Sequence, residues 1–407
     1  MKKIELLAPA GNLEKLTIAL AYGADAVYFG GKAFGLRAFS ENFDEIELKQ
    51  GIATTHAAAK KAYITVNIFP HNEDLAALPD YLRFLRDSGA DAVIISDLGV
   101  WRIAREVVPD LPLHISTQAN NTNWASVLAW QDMGAGRVVM AREVSLADIA
   151  AIREKTRLEL EAFIHGAMCV SYSGRCLMSN YLTGRDANRG ECAQPCRWKY
   201  YLMEETRPGQ YYPVLEDERG SYFFNSKDLC LLPFLPRLAR AGLDSFKIEG
   251  RMKSVHYVAT VVKVYREALD AFAADPDNYT VSRMWWEELA KISHRPYTSG
   301  FYFGQTSEDD QIYGSATYNQ SHDFVGLVHS YDPATGMALV EQRNNMKLGE
   351  EIEVLQPGEP NFCQKITRMI DRDGSELTVA PHAQQLVSMP LERPVARFAM
   401  LRRKVTG

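Results

Sequence analysis

Five of the six cysteines fall between residues 169 and 230: Cys169, Cys176, Cys192, Cys196 and Cys230. Six, fifteen, three and thirty-three residues separate them in turn. Clustered thiols either ligate metal as thiolates or, beside a base, act as nucleophiles. Structural zinc favours cysteine pairs two to four residues apart, a spacing met only by Cys192 and Cys196. The six-residue interval suits a wider object, so a 4Fe-4S cluster is expected, with zinc as the alternative. Glycines at 166, 174, 184 and 190 would let the backbone fold closely around it. Spacing alone leaves the fourth ligand open between Cys196 and Cys230. Cys363 stands apart and is expected to be a core thiol.

The elements that must hold these thiols belong to a chain of 407 residues, 46% hydrophobic, 24% charged and 10% aromatic. That composition excludes disordered, collagenous and low-complexity proteins. A net charge of −6 removes bulk attraction to nucleic acid or anionic membrane as a driver, leaving only local basic patches. No stretch approaches the ~20 apolar residues of a membrane span. Met1 to Ala10 mimics a signal peptide, but Glu5 and Pro9 interrupt its apolar run, which reads as a buried strand. A reducing, cytoplasmic setting is therefore expected, where clustered thiols favour metal or catalysis over disulfides.

Eight short apolar runs punctuate the first 250 residues: Ile4–Ala8, Ala26–Gly30, Ala62–Asn67, Ala92–Ser96, Leu113–Thr117, Arg137–Ala141, Leu158–Ile164 and Ser245–Ile248. Each is rich in Val, Ile or aromatics, as strands buried on both faces are, and amphipathic segments separate most of them. Gly23-Ala24-Asp25, Gly89-Ala90-Asp91, Gly134-Ala135-Gly136 and Gly242-Leu243-Asp244 precede four runs, glycine being the usual helix terminator. Eight strand–helix units predict a closed (β/α)8 TIM-like barrel over residues 1–304. An open doubly wound sheet is the alternative, but no G-x-G-x-x-G follows the first strand.

In such a barrel, chemistry sits at the C-terminal ends of the strands. Polar residues crowd those positions: Pro9 to Asn12, Asn67, Ser96-Asp97, Ser116, Gln118, Asn120, Arg142-Glu143, His165 and Glu249 to Arg251. Asn67, Gln118, Asn120, His165 and Glu249 are the candidate catalytic group. The cysteine-rich stretch, residues 166–230, interrupts the barrel after its seventh strand, far longer than a usual loop. It carries aromatic β-rich pieces and a hairpin turn at Asp217–Gly220. Tyr172, Tyr181 and Trp198 could stack on a base or simply pack this insertion. Residues 305–322 read as a linker. Short alternating segments over 323–407 predict a small antiparallel β-barrel, ending in Arg402-Arg403-Lys404, expected as a solvated tail or phosphate contact.

The stretch His165-Gly-Ala-Met-Cys-Val-Ser-Tyr-Ser-Gly-Arg-Cys176 resembles the signature of the collagenase-like peptidase family U-32. So do Tyr181-Leu-Thr-Gly-Arg-Asp-Ala-Asn-Arg-Gly-Glu-Cys-Ala-Gln-Pro-Cys-Arg-Trp198, Leu7-Ala-Pro-Ala-Gly11, Asn225-Ser-Lys-Asp-Leu229 and Lys247-Ile-Glu-Gly-Arg251. The family name implies a protease, yet no H-E-x-x-H or G-x-S-x-G is present. The resemblance is strongest to a branch that hydroxylates the wobble uridine of tRNA to 5-hydroxyuridine, in which a 4Fe-4S cluster and prephenate are implicated. Other members act on RNA bases or a quinone precursor. Carried over, that branch implies Cys169, Cys176, Cys192 and Cys196 as ligands, whereas the quinone branch keeps Cys230 in contention. Arg175, Arg185, Asn188, Arg197, Lys227, Lys247 and Arg251 become candidate substrate contacts. A tRNA anticodon loop, an electron donor or acceptor protein and a second related chain are the implied partners, with no membrane.

Overall fold

The computed structural model describes residues 3–36, 42–169, 171–197, 215–217, 220–222, 227–304 and 320–405. The expected linker therefore lies mostly outside the described residues, as do Trp198 and the side chain of Arg197.

Seven parallel strands open the chain: β1 (Glu5–Pro9), β2 (Ala26–Phe29), β3 (Lys61–Val66), β4 (Ala92–Ile95), β5 (Leu113–Ile115), β6 (Arg137–Val139) and β7 (Glu159–Ala167). Within the insertion follow β8 (Leu215–Asp217), β9 (Gly220–Tyr222) and β10 (Asp228–Cys230), and then β11 (Ser245–Ile248) and β12 (Tyr297–Thr298). Each of β1 to β7 pairs with the next, and β11 pairs in parallel with both β7 and β1, closing an eight-stranded barrel. All eight runs read from the sequence are these strands, and the open-sheet alternative falls. The hairpin at Asp217–Gly220 is also present, as the β8–β9 pair.

Helices follow the strands, and their first turns stand at the C-terminal rim of the barrel. Asn12, Asp44, Asp97, Asn123, Ser145 and Ser254 each cap one, the side chain accepting a backbone N–H of the first turn. Gly23, Gly89, Gly134 and Gly242 have positive φ just past four helix ends, the left-handed conformation that returns the chain to the next strand. Outward-facing strand residues such as Leu6, Ala8, Ile64 and Val93 pack against the helices in one continuous core. The barrel interior is different. Leu7, Tyr28, Tyr63 and Ile94 share it with a buried ionic set. Arg137 there bonds Glu5 at 2.5 Å, Glu159 at 2.7 Å and Glu161 at 2.8 Å, and Lys247 reaches Glu161 at 2.8 Å.

The C-terminal domain comprises β13 (His322–Asp332), β14 (Met337–Gln342), β15 (Met346–Lys347), β16 (Glu351–Leu355), β17 (Phe362–Lys365), β18 (Val379–Ala380), β19 (Leu386–Pro390) and β20 (Met400–Lys404). Six of them form an antiparallel sheet ordered β17-β16-β20-β13-β14-β19, curled into a half-barrel. The sheet is docked on the barrel helices. Tyr22 donates to the carbonyls of Leu355 and Phe398, and Lys263 to those of Gln356 and Glu359. Arg402, expected in a solvated tail, is instead fully buried between Glu288 and Glu353. The strand β20 carries it into the domain contact, where two carboxylates neutralise it. Cys363 is exposed rather than a core thiol, because alternation along β17 turns Phe362 inward and its neighbour out. Among the described residues no helix is long and apolar enough to cross a membrane.

Candidate functional site

A cavity opens at the C-terminal end of the barrel, and the insertion roofs it. Its walls include Cys169, Cys176, Cys192 and Cys196 from the insertion, and Asn67, Gln118, Arg142, Lys247, Glu249 and Arg251 from the strand ends. Four of the five clustered thiols thus face one space. Cys230 does not line it.

Backbone constraints explain how the insertion reaches this position. Gly166, at the end of β7, has φ of 114°, and a Cβ there would sit 2.4 Å from the Glu249 carbonyl oxygen. Only glycine lets the chain turn so close to the eighth strand's exit. Beyond it, Glu143 accepts from the Ser173 backbone N–H at 2.6 Å and from its hydroxyl at 2.8 Å. Asn188 bonds both backbone groups of Cys176, accepting its N–H at 3.3 Å and donating to its carbonyl at 3.2 Å. Arg189 clamps Asp74 through two contacts of 2.7 and 3.0 Å, and this hydrogen bonding holds the Asp74 carboxyl below its ordinary range. Arg175 donates to the Gln118 carbonyl at 2.9 Å and lies over the Phe69 ring. Of the expected substrate contacts, Arg175 is thus engaged in holding the insertion to the barrel, and the Asn188 side chain in holding the Cys176 backbone within the insertion.

The remaining expected residues divide. Asn67 donates to Gln118 at 3.1 Å, leaving a pair of amides on the cavity wall. Glu249 meets Arg142 at 3.3 Å, and Arg142 stacks over Phe163. Lys247 stands on the cavity floor, 4.4 Å from the Tyr28 ring centroid, with Glu161 behind it. Arg251 lines the wall and is braced by the Leu36 carbonyl at 2.8 Å and Asn42 at 2.5 Å. Asn120 sits outside the lining in a left-handed conformation, and Arg185 and Lys227 are half-buried elsewhere.

His165 is also absent from the lining. It is buried among Tyr257, Tyr265 and Tyr297, with Nδ1 3.3 Å from the Tyr265 hydroxyl. Desolvation there pushes its pKa down to about 3. The cause is a register shift: Lys247 pairs with Phe163, but Ile248 pairs with His165. The extra residue is a β-bulge, which turns His165 from the inner face to the outer.

The cavity residue underrated from sequence is Arg142, directly after β6, which supplies a third cation beside Lys247 and Arg251. Glu161, which supports Lys247, was also missed. Its signal was present in Glu159 and Glu161, two charges at alternate positions of an otherwise apolar strand. Proximity of Lys247 and Arg137 drops the Glu161 carboxyl to about 2, overriding the opposite push of burial.

The cavity's sulfur donors are soft thiols, the ligand type that iron–sulfur clusters and zinc take. Among the described residues no group of three or more His, Cys, Asp or Glu side chains is placed to hold a metal ion.

Residues 11–312 match peptidase family U32, and residues 320–402 match the peptidase family U32 C-terminal domain. The chain is 44% identical over 402 residues to the tRNA hydroxylation protein P1 of Bacillus subtilis (strain 168), spanning 99% of this chain and 95% of that one. It is 37% identical over 450 residues to the tRNA hydroxylation protein P of Escherichia coli (strain K12), spanning 100% and 98%. A collagenase of Porphyromonas gingivalis (strain ATCC BAA-308 / W83) is 31% identical over 376 residues, 89% of each chain. With the barrel, its cysteine-bearing insertion and the C-terminal domain all accounted for, the chain belongs to peptidase family U32.

Proposed function

We propose that this protein hydroxylates tRNA, converting the wobble uridine to 5-hydroxyuridine, with prephenate as co-substrate and a 4Fe-4S cluster held by Cys169, Cys176, Cys192 and Cys196. Relatives named for tRNA hydroxylation, similar over nearly their whole length, support the substrate class. The observation that carries the reading is the meeting of those four thiols with polar strand-end residues on one cavity.

Replacing the C5–H bond of uracil by C5–OH, with the oxygen taken from water, releases two electrons and two protons, and the cluster would relay the electrons one at a time to an acceptor protein, chemistry that side chains lack. The rest falls to the protein's own groups. The amides of Asn67 and Gln118 offer donors and acceptors to a uracil edge. Lys247, Arg142 and Arg251 hold carboxylates, as prephenate requires. Glu249 takes up a proton released from the substrate, being the one carboxylate lining the cavity among the described residues. An anticodon-loop base is already single-stranded, so little energy is spent in drawing it into the cavity.

A cysteine protease would need a thiol beside a titrating base. His165 is withdrawn from the cavity and its pKa is depressed, which disfavours that alternative.

The test is mass spectrometry of tRNA nucleosides from a strain lacking the protein. Loss of 5-hydroxyuridine is expected, restored by the wild-type chain and not by Cys176→Ser. An unchanged nucleoside profile in the deletion strain would overturn the proposal.

A further inference from the structure

The short helix Met178–Thr183 in the insertion is turned the wrong way round for a solvated surface. Ser179 is fully buried, its hydroxyl accepting from the Ala193 N–H at 3.0 Å, and Thr183 bonds back to the Ser179 carbonyl. Half a turn away, Leu177 and Tyr181 are 76% and 88% exposed. They are four residues apart and joined by a backbone hydrogen bond of 2.9 Å, so they share one face. Tyr172, also more than half exposed, precedes them by a few residues. Cys176, between Tyr172 and Leu177, lines the cavity. A helix that buries Ser179 and offers Leu177 and Tyr181 to water is built for a partner.

Charge chooses between partners. The protein is acidic overall, yet exposed Arg175 lies within this segment, and the adjoining cavity carries Arg142, Lys247 and Arg251, with Glu249 on its wall and Glu161 behind Lys247. Aromatic faces interleaved with cations fit unpaired nucleotides, whose bases stack while their phosphates are neutralised. A greasy protein surface would not call for the cations.

We propose that Tyr172, Leu177 and Tyr181 form a stacking shelf for the unpaired bases that flank the target base of an RNA loop. The proposal rests on the reading that the substrate is RNA. The shelf grips the neighbours of the reacting nucleotide while the cavity receives the nucleotide itself.

Binding of a fluorescently labelled anticodon stem-loop, followed by anisotropy at fixed salt, tests this without requiring turnover. Tyr181→Ala is expected to weaken binding about tenfold, and Tyr172→Ala with Tyr181→Ala about a hundredfold. Tyr181→Trp should retain wild-type affinity, as should Leu348→Ala, an exposed apolar residue of the C-terminal domain. Thermal unfolding checks that the variants are folded, as high exposure of both tyrosines predicts. Equal affinity of the double variant and wild type, or no measurable binding by wild type, overturns the shelf. So does a double variant that keeps RNA affinity but loses association with another protein chain. Failure of the hydroxylation reading is separate: the shelf stands if the variants lose RNA binding even where the wild-type chain fails to restore 5-hydroxyuridine.

Discussion

The Cys230 thiol lies 3.6 Å from the Tyr265 hydroxyl, behind the barrel wall rather than in the cavity. It belongs to β10, which runs antiparallel to β7 and sets Cys230 opposite His165. Burial pushes the thiol up to about 11, and its place off the cavity sets it apart from the four thiols that line it. Iron content should therefore separate the cysteines. Cys176→Ser and Cys192→Ser are expected to lower iron per chain severalfold and bleach the visible absorbance of anaerobically purified protein. Cys230→Ser should keep both and lose only about 1–2 kcal/mol of stability. Normal iron in Cys176→Ser would exclude Cys176 as a ligand.

Glu161 neutralises two buried cations at once, Lys247 at the cavity floor and Arg137 beneath it. Removing its charge takes the carboxylate from Lys247 and leaves Arg137 with Glu5 and Glu159. Glu161→Gln should cost about 3–5 kcal/mol in urea unfolding at pH 7. The carboxyl is depressed in the folded state, so its contribution is complete above the unfolded pKa and is lost as pH falls from about 4.5 to about 2. The stability gap between wild type and Glu161→Gln should narrow over that window. A constant gap would show that the charge is not what matters.

His165 gives a dependence in a different window. Its folded pKa of about 3 lies below the unfolded value of 6.5, so below pH 6.5 only the unfolded chain takes up the proton. Stability should fall as the solution is acidified, with this residue contributing about 2 kcal/mol of the loss between pH 7.5 and 5. His165→Gln should flatten the slope by that amount while tRNA from cells carrying it retains 5-hydroxyuridine. Loss of the modified nucleoside from a stably folded variant would return His165 to the site.

Arg402 joins the two domains through Glu288 on the barrel side and Glu353 on β16. Its proximity holds the Glu353 carboxyl at about 2 despite burial. Arg402→Ala leaves Glu288 and Glu353 in the contact with Lys291 as their shared cation and should cost about 2–3 kcal/mol. Thermal unfolding should show a lowered, broadened transition, and limited proteolysis should release the C-terminal domain more readily. An unchanged melting profile would mean that the apolar surfaces alone hold the domains together.

Periodicity and punctuation in the sequence determined the barrel. Eight apolar runs, with glycines just before four of them, suffice because strands buried on both faces and left-handed helix ends are local necessities. The cysteine types and spacing likewise carried the expectation of a soft, wide group, since ligand chemistry resides in residue type. Which way each side chain faces was another matter. One extra residue in β7 turned His165 out of the cavity, and pairing of β10 with β7 withdrew Cys230 against Tyr265. Neither bulge nor register is written in the local pattern. Arg402 and Glu161 became buried ions when partners 24 to 114 residues away closed on them. Sidedness and charge compensation arise from non-local packing, and only the tertiary structure decides them.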